Sequence, residues 1–321
     1  MMQFFKKKAK SNSRVGVVVS SDQLAVAHMG ERDGEPYLID FERVALQSER
    51  DAGKALAKLV KELGIEGKQC SYVLNRKDYN LHLVEAPEVE ASELRAAVRW
   101  KIKDLLDMKV EDAAIDVFQV PEDAYRGRQM VYVVASLKSR ISSIVSSITQ
   151  SGLELAVVDI PELVMLNLSK QYIEDDNGVA FMDLRRNGST INITQKGQLY
   201  LSRRINTQLD PMVMQSPEWE SLKDRMVIEI QRSLDYYESQ MGQNPINRIV
   251  LAQRQQDGVA MAAALNSMLA AEVSVLNISE HLNCGVELTP EDQQIGMAAI
   301  AATLRGQKAS KTAASAEQEA A

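Results

Sequence analysis

One order of elements occurs twice in this chain, and it limits the fold more than any other feature. Residues 15–19 form an apolar, β-branched run. Residues 24–29 follow, then the turn Glu31-Arg32-Asp33-Gly34, then an alternating stretch over 37–44. Such runs joined by short turns predict three antiparallel strands. Ala55, Leu56, Leu59, Val60 and Leu63 recur at helical spacing, with Gly64 as the stop, and predict a helix over 52–63; a strand at 70–74 comes next. The same order returns downstream: strands at 179–184, 189–195 and 198–205, the turn Lys196-Gly197 between the last two, a long helix, and a strand at 248–252. The first strands of the two sets start 179 − 15 = 164 residues apart, about half of the 321-residue chain. That is no solenoid period. It is one α/β plan used twice, in a chain longer than one core usually organises.

The block between the halves breaks this plan. Its expected order is strand (72–84), helix (93–106, capped by Ser92), and two strands (115–120 and 130–135). Leu94, Val98, Ile102 and Leu105 form the apolar stripe of that helix, with Arg95, Arg99 and Lys103 outside it. The first half then resumes with a helix at 140–150, a strand at 155–160 and a helix opened by Pro161. In the second half the longest helix is expected over 217–241, with Ser216 as cap. Trp219, Leu222, Met226, Ile230, Leu234, Tyr237 and Met241 give it one apolar face, expected to lie in the core. An Ala- and Met-rich helix at 258–271 follows, and a last helix starts at Thr289-Pro290-Glu291-Asp292 and stops at Gly306. The division read from this is a basic arm (1–13), a first half (14–71 and 137–175), an inserted subdomain (72–136), a second half (176–305, with the helix 217–241 in its own insertion) and a polar small-residue tail (306–321) too poor in apolar groups to order itself.

Composition narrows the chemistry. Only 5% of residues are aromatic, so the core must be built from Val, Ile, Leu, Met and Ala. The net charge, 37 − 44 = −7, gives no electrostatic reason to expect nucleic acid as a partner. Cys70 and Cys284 form no CxxC pair and read as buried free thiols of a reducing compartment. His28, His82 and His281 have no zinc spacing, so no metal site is expected. No apolar run reaches the roughly 20 residues that span a bilayer, and the basic start lacks the apolar core of a secretory signal, so the expectation is a cytoplasmic protein. Phe4, Phe5, Lys6, Lys7 and Lys8, with Lys10 and Arg14, allow two readings. One is a weak contact with an anionic membrane surface, at roughly 1 kcal/mol per cation; the other is a solvated arm. GxSxG, HExxH, Walker A and GxGxxG patterns are missing. The acid pairs Glu111-Asp112 and Asp175-Asp176 fall beside predicted turns and read as loop charges.

Several segments resemble PilM proteins of type IV pilus assembly. They are VGVVVSSDQLAVAHM (15–29), ELRAAVRWKIKDLL (93–106), DVFQVP (116–121), VYVVAS (131–136), SGLELAVVDIPELVMLNLS (151–169), and, most specifically, EIQRSLDYYESQ (229–240) followed by INRIVLA (246–252). The resemblance covers roughly 3–305 and fits the MshI type of the mannose-sensitive haemagglutinin (MSHA) pilus system best. It implies an α/β, actin-like (ribonuclease-H-like) duplicated fold, similar to that of the cell-division protein FtsA, with an inserted strand-helix-strand-strand subdomain. In that fold a nucleotide lies between the halves, held by turns that need glycine for close backbone approach. The family's first phosphate turn, Asp-x-Gly-Ser-Ser, corresponds here to Val18, Val19, Ser20, Ser21 and Asp22. Val18 cannot hold Mg²⁺. In the second turn, Asp-x-Gly-x-x-x-Thr, Asp183 remains and Ser189 stands at the Thr, but Arg185 replaces the glycine and Arg186 follows. The Gly-Gly of the third turn has become Gln253-Arg254. Four departures together imply a chain that does not bind ATP in the family's way, so that no nucleotide or Mg²⁺ cofactor and no catalytic residue is expected.

The function implied is a scaffold rather than an enzyme: a cytoplasmic part of an MSHA-type pilus platform, peripheral at the inner-membrane face, that binds the cytoplasmic peptide of a PilN-like bitopic membrane protein and offers a contact for the assembly ATPase. The family groove lies between the first half and the inserted subdomain. Here it points to the helix 93–106 and the strands 72–84 and 131–136, with Arg95, Arg99, Trp100 and Lys103 as candidates and an exposed strand edge for the peptide to join. The competing reading is a nucleotide-dependent, actin-like ATPase switch in the same assembly, which Mg-ATP would stabilise measurably.

Overall fold

The computed structural model describes residues 13–185, 188–207, 209 and 212–306. The first half begins with β1 (Arg14–Val19), β2 (Gln23–Arg32), β3 (Glu35–Ala45), α1 (Ala52–Glu62) and β4 (Gln69–Val73). The second begins with β9 (Val179–Asp183), β10 (Ser189–Gln195), β11 (Gln198–Ile205), α5 (Trp219–Asp235) and β12 (Arg248–Ala252). Each half continues with helix, strand, helix: α3 (Lys138–Ser151), β8 (Glu154–Asp159) and α4 (Pro161–Tyr172) in one, α6 (Gly258–Asn266), β13 (Glu272–Leu276) and α7 (Pro290–Thr303) in the other. The sheets then match strand for strand, β3-β2-β1-β4-β8 against β11-β10-β9-β12-β13, with a short β14 (Asn283–Cys284) added beside β3. In both, the first three strands are antiparallel and the last two parallel.

Alternation along the strands divides the core into layers. Val15, Val17 and Val19 face α1 and α3 on the outside of the first sheet. Ala180, Met182 and Leu184 face the outer helices of the second. The inner faces, through Ala25, Ala27, Val179 and Phe181, share one core with α4 and α7. The closing helices cross over: α4, which ends the first half, packs on β10 and β11, while α7, which ends the second, lies across β1, β2 and β4. The central layer is close-packed because α7 is almost without bulk. A Cβ on Gly16 would lie 1.9 Å from the Ala299 carbonyl oxygen, and one on Gly296 would lie 2.1 Å from the Phe41 ring. Thr289 and Asp292 close a capping box at its start.

The inserted block is a separate sheet, β5 (Tyr79–Glu85), β7 (Met130–Leu137) and β6 (Ala113–Gln119) in the order β5-β7-β6, with one helix, α2 (Leu94–Lys101). Some expectations need correction. The stretch 72–84 is two strands in two sheets, because the chain turns through Arg76–Asp78. The helix expected to run to Leu106 ends at Lys101, after which a short 3-10 turn (Lys103–Leu105) leaves Leu105 50% exposed. The N-caps are Glu93 and Glu218 rather than Ser92 and Ser216. The long helix narrows to α5 and a π-helical turn (Tyr236–Gln240), although its apolar face lies in the core as expected. α6 ends at Asn266, and the strands β13 and β14 were not anticipated. Cys284 is half-buried, unlike Cys70. The arm with Phe4, Phe5, Lys6, Lys7 and Lys8, Arg186, and the tail beyond Gly306 lie outside the described residues.

Gly16→Val forces α7 off β1 and is expected to cost about 3 kcal/mol by overpacking. Urea unfolding should show a lower midpoint, whereas Val259→Ala, at an exposed position, should change stability by less than about 0.5 kcal/mol.

Candidate functional site

The turns that a nucleotide would use are filled by this chain's own groups. Val18, at the end of β1, faces inward and packs on the core shared by the halves. The turn after it is closed on itself: the Ser20 N–H donates to the Gln23 carbonyl (2.8 Å), the Gln23 N–H donates to Ser20 Oγ (3.0 Å), and the Ser20 and Ser21 hydroxyls donate to Asp22 (3.0 and 3.3 Å). A carboxylate thus occupies the acceptor's place where a phosphate turn offers donors.

The second half carries the other two turns. Asp183, at the end of β9, is buried, and both of its oxygens accept from Arg185 Nε at 2.8 Å. The Arg185 N–H donates to Ser189 Oγ (3.3 Å). The Arg254 side chain, only 2% exposed, donates from Nε to Asp257 Oδ1 (2.7 Å) and from Nη1 to the Leu184 carbonyl (2.9 Å). Asp183, Arg185, Ser189 and Arg254 are therefore brought together, and Arg254 ties the end of β12 to the turn after β9. Gln253, beside it, lines a cavity of about 510 Å³ with Asn277, Ser279 and Gln293. Among the described residues there is no cluster of three His, Cys, Asp or Glu side chains able to hold a metal ion. Burial pushes the Cys70 thiol up to about 12, which leaves it unreactive.

The inserted sheet has two different faces. Leu94, Val98 and Ile102 of α2 cover one, packing with Val84, Val131, Val133 and Ala135. The other presents Tyr132 to the second half's core and Val134 to the first half's, with Leu81 and Phe118 touching both. α2 therefore lies on the face turned away from both halves. Trp100 is 68% exposed, and Arg99 donates to the carbonyls of Val110 (2.5 Å) and Ala113 (3.3 Å). Arg95, Arg99, Trp100 and Lys103 line neither of the cavities beside the inserted sheet. The stripe rightly located the buried side of the helix, but the opposite side faces solvent rather than a groove.

Those two cavities lie at the root and at the flank of the inserted sheet. The root cavity, about 740 Å³, is walled by α1 and α3 and by Lys77 and Asp78, where the chain enters the insertion. Glu49 there takes Lys77 and Arg140, and Arg140 also donates to Asp78 (2.9 Å). Burial opposes the Glu49 charge, but the Lys77 hydrogen bond and the Arg140 charge outweigh it and hold the carboxyl below the usual range. The flank cavity, about 460 Å³, runs between β5 and β11. Near its floor Tyr79 donates to Glu162 (2.6 Å), a carboxylate 2% exposed, which Arg76 approaches at 3.7 Å while donating to Thr190 (2.7 Å). Burial pushes the Tyr79 hydroxyl far above its ordinary range, and the Glu162 charge adds to it. No spacing signal marks Arg76, Tyr79 and Glu162, because they come from three separate elements.

No protein-family model and no curated protein sequence matches the chain. Solved structures do. The PilM-PilN type IV pilus biogenesis complex superposes with a TM-score of 0.66 at 15% identity, covering 91% of this chain and 97% of that one. A Bacteroides thetaiotaomicron protein with an actin-like ATPase fold gives 0.51 at 10% identity, over 88% and 96% of the two chains. The cytoplasmic domain of EpsL, an inner-membrane component of the Vibrio cholerae type II secretion system, gives 0.48 at 11% identity, over 89% and 94%. No described helix is long and apolar enough to cross a membrane. Matched sheets, crossed closing helices and a sheet inserted after β4 give the chain a PilM-like version of the actin-like fold.

Proposed function

We propose that this chain is a non-hydrolysing scaffold of an MSHA-type pilus assembly platform, docking the cytoplasmic peptide of a PilN-like bitopic membrane protein. The burial of Arg254 carries this reading. Its guanidinium bonds to Asp257 and the Leu184 carbonyl where a glycine turn would leave room for a nucleoside. The fold keeps the two halves and closes the clamp between them with protein groups. Open space remains beside Gln253 and beside the inserted sheet, and of these cavities the one at the sheet's root is the largest. The root cavity lies on the first half where the chain enters the insertion at Lys77 and Asp78, with polar walls from Ser48, Ser143, Ser146 and Ser147 and charged ones from Glu49 and Arg140. The partner peptide is assigned there in place of the outer face of α2. Phe4, Phe5, Lys6, Lys7 and Lys8 are suited to hold the scaffold at the inner-membrane surface, and the assembly ATPase is a further partner of such a platform.

Three outcomes follow. Millimolar Mg-ATP should leave the melting temperature unchanged, whereas a site filled to 100 times its Kd would add about 2.7 kcal/mol; a clear rise would restore the ATPase-switch reading. Arg254→Ala leaves the Asp257 carboxylate without its buried partner and should cost about 3–5 kcal/mol in urea unfolding. A synthetic peptide copying the cytoplasmic tail of the PilN-like partner should bind by calorimetry, and Ser146→Trp, at an exposed position on the cavity wall, should abolish that binding with the protein still folded.

A further inference from the structure

We propose that the slot between β5 and β11 is a second peptide site, which takes an extended acidic segment of a protein partner as an added strand. The proposal does not depend on the root cavity. β5 is an edge of the inserted sheet and β11 an edge of the second half's sheet. Four consecutive residues of each, Asn80–Leu83 and Leu201–Arg204, line the slot.

The backbone parity of both strands can be read from single hydrogen bonds. The Ala86 N–H donates to the Gln129 carbonyl, so at the end of β5 the even residues face β7. The two-residue period turns the N–H and C=O of Leu81 and Leu83 the other way, away from β7 along the open edge that borders the slot. On β11 the Ser202 N–H points away from β10 and donates to the Tyr132 hydroxyl of the inserted sheet (2.9 Å). The same period sends the N–H and C=O of Arg204 outward. The β5 edge is thus unpaired where it borders the cavity, while on β11 the Ser202 N–H is already taken by Tyr132 and Arg204 alone turns its backbone outward; an open edge like that of β5 accepts an extended peptide through main-chain bonds.

Charge selects the occupant. Glu162 is taken by Tyr79 and Arg76. Arg203 and Arg204 have no carboxylate partner among the described residues. Arg203 lies over the Tyr236 ring at 5.9 Å and donates to the Arg232 carbonyl (3.2 Å), and Arg204 donates to the Arg76 carbonyl (3.3 Å). As neighbours on a strand, the two project to opposite faces of β11. An added strand therefore meets a guanidinium whichever way its acidic side chains turn, and a carboxylate gains charge-assisted bonds there.

The test uses the full chain and two capped nine-residue peptides, one alternating Val and Glu, the other alternating Val and Lys. The Glu peptide should bind at least tenfold more tightly by fluorescence polarisation. Hydrogen exchange should slow at the amides of Leu81, Leu83 and Arg204. N-methylation of alternate peptide residues should abolish binding, and the double variant Arg203→Glu/Arg204→Glu, at surface positions, should reverse the preference while circular dichroism stays unchanged. Equal binding of both peptides, absence of binding, or protection elsewhere would overturn the proposal. So would dimerisation of the protein that protects these same amides, which would assign the slot to a second copy.

Discussion

Two sheets can share one core in this protein only because the helix between them is nearly featureless. Every residue of α7 from Gly296 to Thr303 is buried, and most of them are glycine or alanine. At Gly16 the helix backbone and the β1 backbone come so close that no side chain fits between them. This contact fixes the first sheet against an element that belongs, by chain order, to the second half. The reciprocal packing of α4 on β10 and β11 does the same in reverse. The halves are thereby cross-braced, and Arg43 adds ion pairs from β3 to Glu291 and Asp292 at the start of α7, at 2.7 and 2.6 Å.

Cross-bracing gives meaning to the residues in the cleft. A clamp that works by opening and closing needs turns whose donors are free to meet a ligand. Here the donors of the Ser20 turn end on Gln23 and Asp22, and the cations of the opposite turns end on Asp183, Asp257 and a backbone carbonyl. Buried charges of this kind stay only when paired. Unfilled space remains at the flank and root of the inserted sheet and beside Gln253.

Much of the fold was legible in the sequence because its signals are strong and local. Short apolar runs marked β1, β2 and β9, alternation marked β3 and β10, and Gly64 and the Thr289–Asp292 box marked helix ends. β13 went unread because Glu272–Leu276 follows an Ala-rich helix without a glycine or proline to punctuate it. The end of α2 was misplaced because the apolar spacing continues to Leu105 after the backbone has already turned. The departures at Val18, Arg185 and Arg254 were visible as residues out of pattern, but their partners were not. Asp257 is three residues from Arg254, yet the Leu184 carbonyl is seventy away, and no local rule connects them. The surroundings of α2 were hidden for a similar reason: periodicity says which side of a helix is covered, and nothing about what the bare side looks onto.

The tie between Arg254 and Leu184 also bears on how such a machine would be timed. A bond made by the chain's own groups is not consumed and renewed as a bound nucleotide is. Under the scaffold function proposed above, an adaptor held in this way would have no fuel gauge and no clock. The pace of an assembly built on such an adaptor would be set by how many copies of each neighbour are present and how long each one stays.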